Sequence, residues 1–253
     1  MNGYGMMTLF NKEVWRFLKV VVQTVLAPVI TALLYLVVFA QLLEGRLEVY
    51  PGISYATFLL PGLIMMSVIQ NAFSNSSSSL IQSKNNGNIV FVLLSPLSTL
   101  EFFVAFVAAA VVRGLMVGLA LYVFAWWMID LPIYNLLYVL GFSVLGSAVM
   151  GALGLIAAIW ADSYDKLSAF QNFLILPLSF LSGVFYSIHS LPAVWQTASR
   201  FNPFFYMIDG VRYGFLGVSD ISPVYSVLIM SLFLLICAGI SLILLARGYK
   251  LRR

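Results

Sequence analysis

The sequence predicts an all-α integral membrane protein, a single domain over residues 1–253 with six transmembrane helices. Three observations predict it. Hydrophobic residues make up 62% of the chain and charged residues 9%, with a mean hydropathy of +1.01, whereas a soluble domain carries roughly a quarter charged residues. Six apolar runs reach the length of about 20 residues that crosses a bilayer as a helix. The runs are continuous and not alternating, which argues against a membrane β-barrel.

In chain order the runs are 20–43, 55–73, 102–128, 136–160, 167–188 and 224–246. Ahead of the first, residues 6–19 interleave Met6, Leu9, Phe10, Phe17 and Leu18 with Asn11, Lys12, Glu13, Arg16 and Lys19. That pattern predicts a helix lying along the membrane face with its basic side chains toward the headgroups. The first run follows this charged segment and is long enough to span, so it reads as a retained anchor and not as a cleaved signal peptide. Pro28 and Pro177 should kink the first and fifth spans.

Between the second and third spans, residues 74–101 read as a loop opening on the polar stretch Asn75-Ser76-Ser77-Ser78-Ser79. The turn Asn85-Asn86-Gly87-Asn88 follows, then the apolar Ile89–Leu94, which predicts a short helix capped by Asn88 and stopped by Pro96. Arg113 falls near the middle of the third span, where a guanidinium costs about 2.5–3.5 kcal/mol. A structural clamp and a place in a substrate path are both open readings of it. Gly114 and Gly118 beside it, and Ser143, Ser147 and Gly151 in the fourth span, are small residues spaced for close helix packing.

Residues 189–223 are too apolar for an open loop: Leu191, Trp195, Phe201, Phe204, Phe205, Tyr206, Met207, Tyr213 and Phe215 fall within them. Two half-helices broken at Asn202-Pro203 and dipping into the outer leaflet are expected, since irregular backbone at that depth must be covered by protein or line a cavity.

Orientation follows from basic residues in short flanking segments. Lys12, Arg16 and Lys19 precede the first span; Arg247, Lys250, Arg252 and Arg253 follow the last. An even number of spans puts both ends on one side, so both termini are expected in the cytoplasm, together with 74–101 and 161–166. Segments 44–54, 130–135 and 189–223 then face outward. The net charge of +4 and pI near 9.2 gather at these ends, where they serve topology. Membrane lipid is the expected partner and nucleic acid is not.

Chemistry-bearing motifs are missing. There is no G-x-x-x-x-G-K-[ST] phosphate loop and no H-E-x-x-H. His189 is the single histidine and Cys237 the single cysteine, so neither a metal cluster nor an intrachain disulfide is expected. No catalytic residue is assigned. No span carries the Asp or Glu of an ion-coupled carrier, so energy must come from a partner. Ile89–Leu94, apolar where water would meet it, reads either as a helix resting against the protein's own membrane ends or, more sharply, as one that docks in a partner's groove.

Leu181-Ser182-Gly183-Val184-Phe185-Tyr186, Leu191-Pro192, Phe201-Asn202-Pro203-Phe204-Phe205-Tyr206 and Asp209-Gly210-Val211-Arg212-Tyr213-Gly214 resemble, in that order, the signature of the ATP-binding-cassette (ABC) type-2 exporter permeases. Residues 88–96 look like that family's coupling-helix region, ending in its Leu-Ser-Pro-Leu-Ser pattern at 94–98. Pro61-Gly62-Leu63-Ile64-Met65-Met66 and Val112-Arg113-Gly114-Leu115 are similar to segments of its bacterial members.

The resemblance implies a homodimer of six-helix permeases in the bacterial inner membrane, bound to two separate ABC ATPase subunits. ATP and Mg would sit on those subunits, and this chain would hold no cofactor. It implies a coupling contact through Asn88, Ile89, Phe91, Leu93 and Leu94. It also implies an outer re-entrant segment containing Asn202, Pro203, Tyr206 and Arg212. Relatives often carry acidic residues just before the coupling leucines; here Ile89, Val90 and Phe91 stand there, so an ion pair at that point is not expected. The function implied is the permease subunit of an ATP-driven exporter of an amphipathic substrate: a drug-like compound, a lipid or a lipid-linked glycan. A dedicated polysaccharide or glycolipid exporter, and a scaffold that transports nothing, are the alternatives.

Overall fold

Helices form every extended element among the described residues, 3–43 and 49–250, of the computed structural model. Arg252 and Arg253, and residues 44–48 of the expected outer segment 44–54, lie outside them. The amphipathic start is helix α1 (Gly3–Leu18). A π-turn at Val22–Leu26 leads into α2 (Ala27–Leu43). The central helix α3 (Tyr55–Asn85) is 31 residues long, about 46 Å at 1.5 Å per residue. Then come the short α4 (Ile89–Leu94), α5 (Thr99–Trp126) and α6 (Leu136–Trp160). A continuous rod follows, made of α7 (Tyr164–Phe170), a second π-turn (Gln171–Ile175) and α8 (Leu176–Phe180). The half-helices α9 (Ala193–Arg200) and α10 (Pro203–Leu216) precede the last helix, α11 (Pro223–Ala246).

Five of these helices are long and apolar enough to cross a membrane: Val22–Phe39, α3, α5, α6 and α11. The rod of α7 and α8 traverses the bundle the same way. It starts beside the end of α6, and the turn after it meets the start of α3, where Tyr55 donates to the Phe185 carbonyl at 3.0 Å. It ends at Phe180 and not at 188 as expected: the chain leaves the helix at Leu181 and turns through Gly183, whose φ of +76° is not helical. Pro28 and Pro177 each sit just past a π-turn. A proline cannot donate to the carbonyl four residues back and its ring crowds it, and the widened turn accommodates both.

Contacts put both ends of the described chain at one end of the bundle, called basal here. Arg16 of α1 reaches Asn75 and Ser78 in the second half of α3, and Lys250 reaches Trp160 and Asp162 past the end of α6. The turns 130–135 and 217–222 lie at the opposite, distal end.

α3 runs through the middle of the bundle, buried along most of its length against α5 and α6. Small residues permit it. A Cβ on Gly154 of α6 would lie 2.6 Å from the Phe73 carbonyl oxygen of α3, and one on Gly114 of α5 would lie 3.2 Å from that of Val68. The helices therefore touch backbone to backbone. Here the expected loop is corrected: Asn75, Ser76, Ser77 and Ser79 are helical and buried. Serines are short enough to let the second half of α3 pack as tightly as the first.

By contrast, α2 and α11 leave long apolar stripes open, among them Ile30, Leu34 and Val38 on α2 and Leu228, Leu232 and Leu235 on α11. Side chains of that kind belong in lipid or against another apolar surface.

The N-terminal helix also differs from expectation. Its amphipathic pattern is real, but Glu13 is fully buried with Leu9 and Phe17 against the bundle. Glu13 accepts from Arg16 Nε at 3.1 Å and pairs with Lys12 at 3.1 Å. Arg16 therefore turns inward to α3, while Lys12 and Lys19 stay exposed.

Candidate functional site

Three places gather the residues singled out above, at the basal end, mid-bundle and the distal end. At the basal end α3 stops at Asn85 and the chain turns through Gly87, whose φ of +72° suits glycine. Asn88 precedes α4 but makes no side-chain cap; its backbone is already helical, at φ −67° and ψ −16°. The expected cap is therefore absent. α4 is placed instead by Ile89, 4% exposed, packed in a cluster with Leu9, Leu80, Phe102 and Phe106. Ile89 thus faces the protein's own body, and Val90, Phe91, Leu93 and Leu94 project outward, with Phe91 at 73% and Leu94 at 78% exposure.

The ground beneath α4 is held firmly. Lys84, in the last turn of α3, donates to the carbonyls of Ala158, Ile159 and Ala161 at 3.0, 3.1 and 2.6 Å. These are unfilled acceptors at the end of α6, where a cation is favoured. On the far side of α4, Ser98 and Glu101 form a reciprocal capping box that starts α5, with bonds of 3.2 and 2.8 Å. Nearby, Asp162 accepts from Lys166 at 2.8 Å and from Lys250 at 3.1 Å. Those two ammonium groups hold its carboxyl down at about 2. The role of Lys84 is not visible in sequence, since a lysine at a helix end reads as a solvated charge.

Mid-bundle, Arg113 of α5 donates from Nη2 to Asn71 Oδ1 of α3 at 3.2 Å, while its Nε is buried without a partner. Asn71 also donates to the Ser67 carbonyl at 3.0 Å. It lines a cavity of about 260 Å³ between α2 and α3, together with Pro28, Thr31, Tyr35, Ser67 and Gln70. Asn71 and Gln70 were missed from sequence; two amides inside an apolar run were the available signal.

At the distal end Arg212 is fully buried. Its Nη2 donates to the Gly183 carbonyl at 2.6 Å, and its guanidinium lies 4.1 Å from the centre of the Phe58 ring. Asp209 stands 3.9 Å away, an ion pair too long for a hydrogen bond. Asp209 accepts the backbone N–H groups of Asp220 and Ile221 at 2.8 and 3.0 Å. Asp220 in turn accepts from the Tyr50 hydroxyl at 2.5 Å, the Ser187 hydroxyl at 2.6 Å and the Ile188 N–H at 2.7 Å. Burial, reinforced by Asp220, pushes the Tyr50 hydroxyl well above its ordinary value.

This network ties four separate segments together: Tyr50, the turn after α8, α10 and the turn before α11. Asn202 caps α10 through the Phe204 N–H at 3.0 Å and donates to the Leu178 carbonyl at 2.7 Å. Pro203 takes the first position of α10, where its missing N–H costs nothing. The Tyr206 hydroxyl donates to the Arg200 carbonyl at 2.7 Å. Tyr206 also walls a cavity of about 850 Å³ between the half-helices and α11, with Phe201, Tyr225 and Phe233. The break at Asn202-Pro203 is therefore a built corner.

Among the described residues no group of three or more His, Cys, Asp or Glu side chains could hold a metal ion. The arrangement offers docking, close packing and buried polar contacts.

Comparison with known proteins covers nearly the whole chain. The family model described as "ABC-2 type transporter" matches residues 4–216. The "Inner membrane transport permease YadH" of Escherichia coli (strain K12) is 37% identical over 245 residues, which is 97% of this chain and 96% of that protein. The "Nodulation protein J" of Rhizobium leguminosarum bv. trifolii is 28% identical over 162 residues, covering 64% of this chain and 62% of that one. Its counterpart in Rhizobium meliloti (strain 1021) is 23% identical over 215 residues, 83% and 81% of the two chains.

Proposed function

We propose, from the premise that this chain belongs to the ABC-2 type transporter family, that it is the membrane-spanning permease of an ATP-driven exporter carrying an amphipathic molecule outward across the inner membrane. The working unit is two copies of this chain with two ABC ATPase subunits, which hold the ATP and Mg. The basal end is the cytoplasmic one, with both termini there.

The observation that carries the reading is α4. A six-residue apolar helix is pinned to the body by Ile89 and offers Phe91 and Leu94 to the surroundings at 73% and 78% exposure. It leaves the bundle next to the lysine that locks α3 to α6. A push on α4 is thereby delivered to the two most buried long helices. The basic residues Lys12, Lys19 and Lys250 at the same end fit the cytoplasmic face.

Co-expression with its ABC ATPase and purification of the tagged permease tests this reading. The ATPase should remain bound through gel filtration, and the reconstituted complex should move a fluorescent amphiphile only with ATP. An ATPase that elutes separately, with hydrolysis indifferent to every amphiphile, would leave a membrane scaffold in place of an exporter.

A further inference from the structure

We propose that the cavity between α2 and α3 seats an anionic head group, so that the amphiphile this permease carries bears an oxyanion, such as a phosphate or carboxylate, at its polar end. The proposal rests on the exporter reading for what becomes of the bound molecule, but not for the binding itself.

The first support is an uncompensated charge. Arg113 stands 14 residues into the 28-residue α5, at mid-depth, and its Nη2 donates to a neutral amide, Asn71 Oδ1. Among the described residues no carboxylate lies within ion-pair distance of it. A buried cation is normally paired, and this one has no acidic partner among the described residues.

The second is the wall of the cavity. Gln70 lines it, and the Gln70 Nε2 is buried without a partner. Asn71 also lines it, polarised by Arg113 behind it and already using its own N–H toward the Ser67 carbonyl. The Thr31 hydroxyl is spent on the Ala27 carbonyl at 2.9 Å. Among the described residues no acidic side chain lines the space. What remains is a buried, unpartnered amide on a lining residue and a positive charge one hydrogen bond behind the wall, and the complement to both is an acceptor carrying negative charge.

The third is the approach. Arg16 binds Asn75 Oδ1 at 3.0 Å and lies 3.5 Å from the Ser78 hydroxyl. Asn71, Asn75 and Ser78 follow one another at helical spacing of four and three residues, so they share one stripe of α3. Two guanidinium groups are thus staged along that stripe, from the basal end to mid-depth. Leu63 and Met66 continue the cavity wall on its apolar side, and the neighbouring flank of α2 exposes Ile30 and Leu34, as an alkyl tail requires.

Equilibrium binding to the permease–ATPase complex in phosphatidylcholine nanodiscs tests this. The probes are radiolabelled dodecyl phosphate, dodecyltrimethylammonium and inorganic phosphate. Dodecyl phosphate should bind at least about tenfold more tightly than the cationic probe. Arg113→Gln should weaken it by about tenfold to a hundredfold, the range of a charged hydrogen bond, whereas Arg113→Lys should retain most of the preference. Inorganic phosphate should fail to displace it. Equal binding of the two amphiphiles, or a preference unchanged in Arg113→Gln, overturns the proposal. Displacement by inorganic phosphate at equal concentration overturns the amphiphile and leaves a free-anion site. ATP-driven movement of amphiphiles without charge preference would retain the exporter and remove the anionic head group. Charge-selective binding without any ATP-driven movement would do the reverse.

Discussion

Arg212 shows what a single side chain does in this protein. It is fully buried, yet it bonds a carbonyl, stacks on Phe58 and faces Asp209. Asp209 in turn closes the turn before α11 through two backbone N–H groups. Removing the cation leaves Asp209 as an unbalanced buried charge, which costs about 3–5 kcal/mol. Arg212→Met should therefore lower the thermal unfolding temperature of the purified protein strongly. Arg200→Met, at an exposed position, should change stability by less than about 0.5 kcal/mol. Equal melting of the two variants would show the network to be idle. The Asp209–Arg212 pair was legible as a motif. Its partners Tyr50, Ser187 and Asp220 were not, because they come from distant stretches that only the folded chain brings together.

Among the elements, α3 departs furthest from its reading in sequence. Apolar content marks 55–73 as the span, and the serines after it read as a loop, but the helix continues to Asn85. Hydropathy cannot register this, since Ser76, Ser77 and Ser79 are buried by virtue of being small and not of being apolar. The glycines opposite tell the same story: a Cβ at Gly154 would meet the Phe73 backbone oxygen at 2.6 Å, while one at Gly141 would meet nothing within 4 Å. Gly154→Ala should part α3 from α6 and cost on the order of 1–3 kcal/mol, and Gly141→Ala should be neutral or slightly stabilising. Comparable melting temperatures for both would argue against direct backbone contact. The short elements were easier to read. Ile89–Leu94 and the Asn202-Pro203 break stand where turn residues and prolines put them, although Ile89–Leu94 is seated by the packing of Ile89 and not by a cap at Asn88.

At the scale of the whole molecule the composition was decisive for a helical membrane protein, whereas the traverse through Phe180 and the inward turn of Glu13 and Arg16 depend on packing that composition does not encode. Single-cysteine labelling in a Cys237→Ala background checks the orientation: Thr197→Cys, in α9, should react from outside intact cells, and Asn86→Cys, at the basal end, only after permeabilisation. The reverse result would invert the protein in the membrane. The central claim is that a separate ATPase drives these helices through α4, whose side chains would each contribute about 1.5–3 kcal/mol once docked. Retention of the ATPase by Phe91→Asp and Leu94→Asp permeases, measured by co-purification beside wild type, tests it most directly. The account predicts permease of normal yield and melting temperature that loses the ATPase by at least about tenfold in affinity; wild-type retention and wild-type substrate-stimulated hydrolysis in both variants would contradict it.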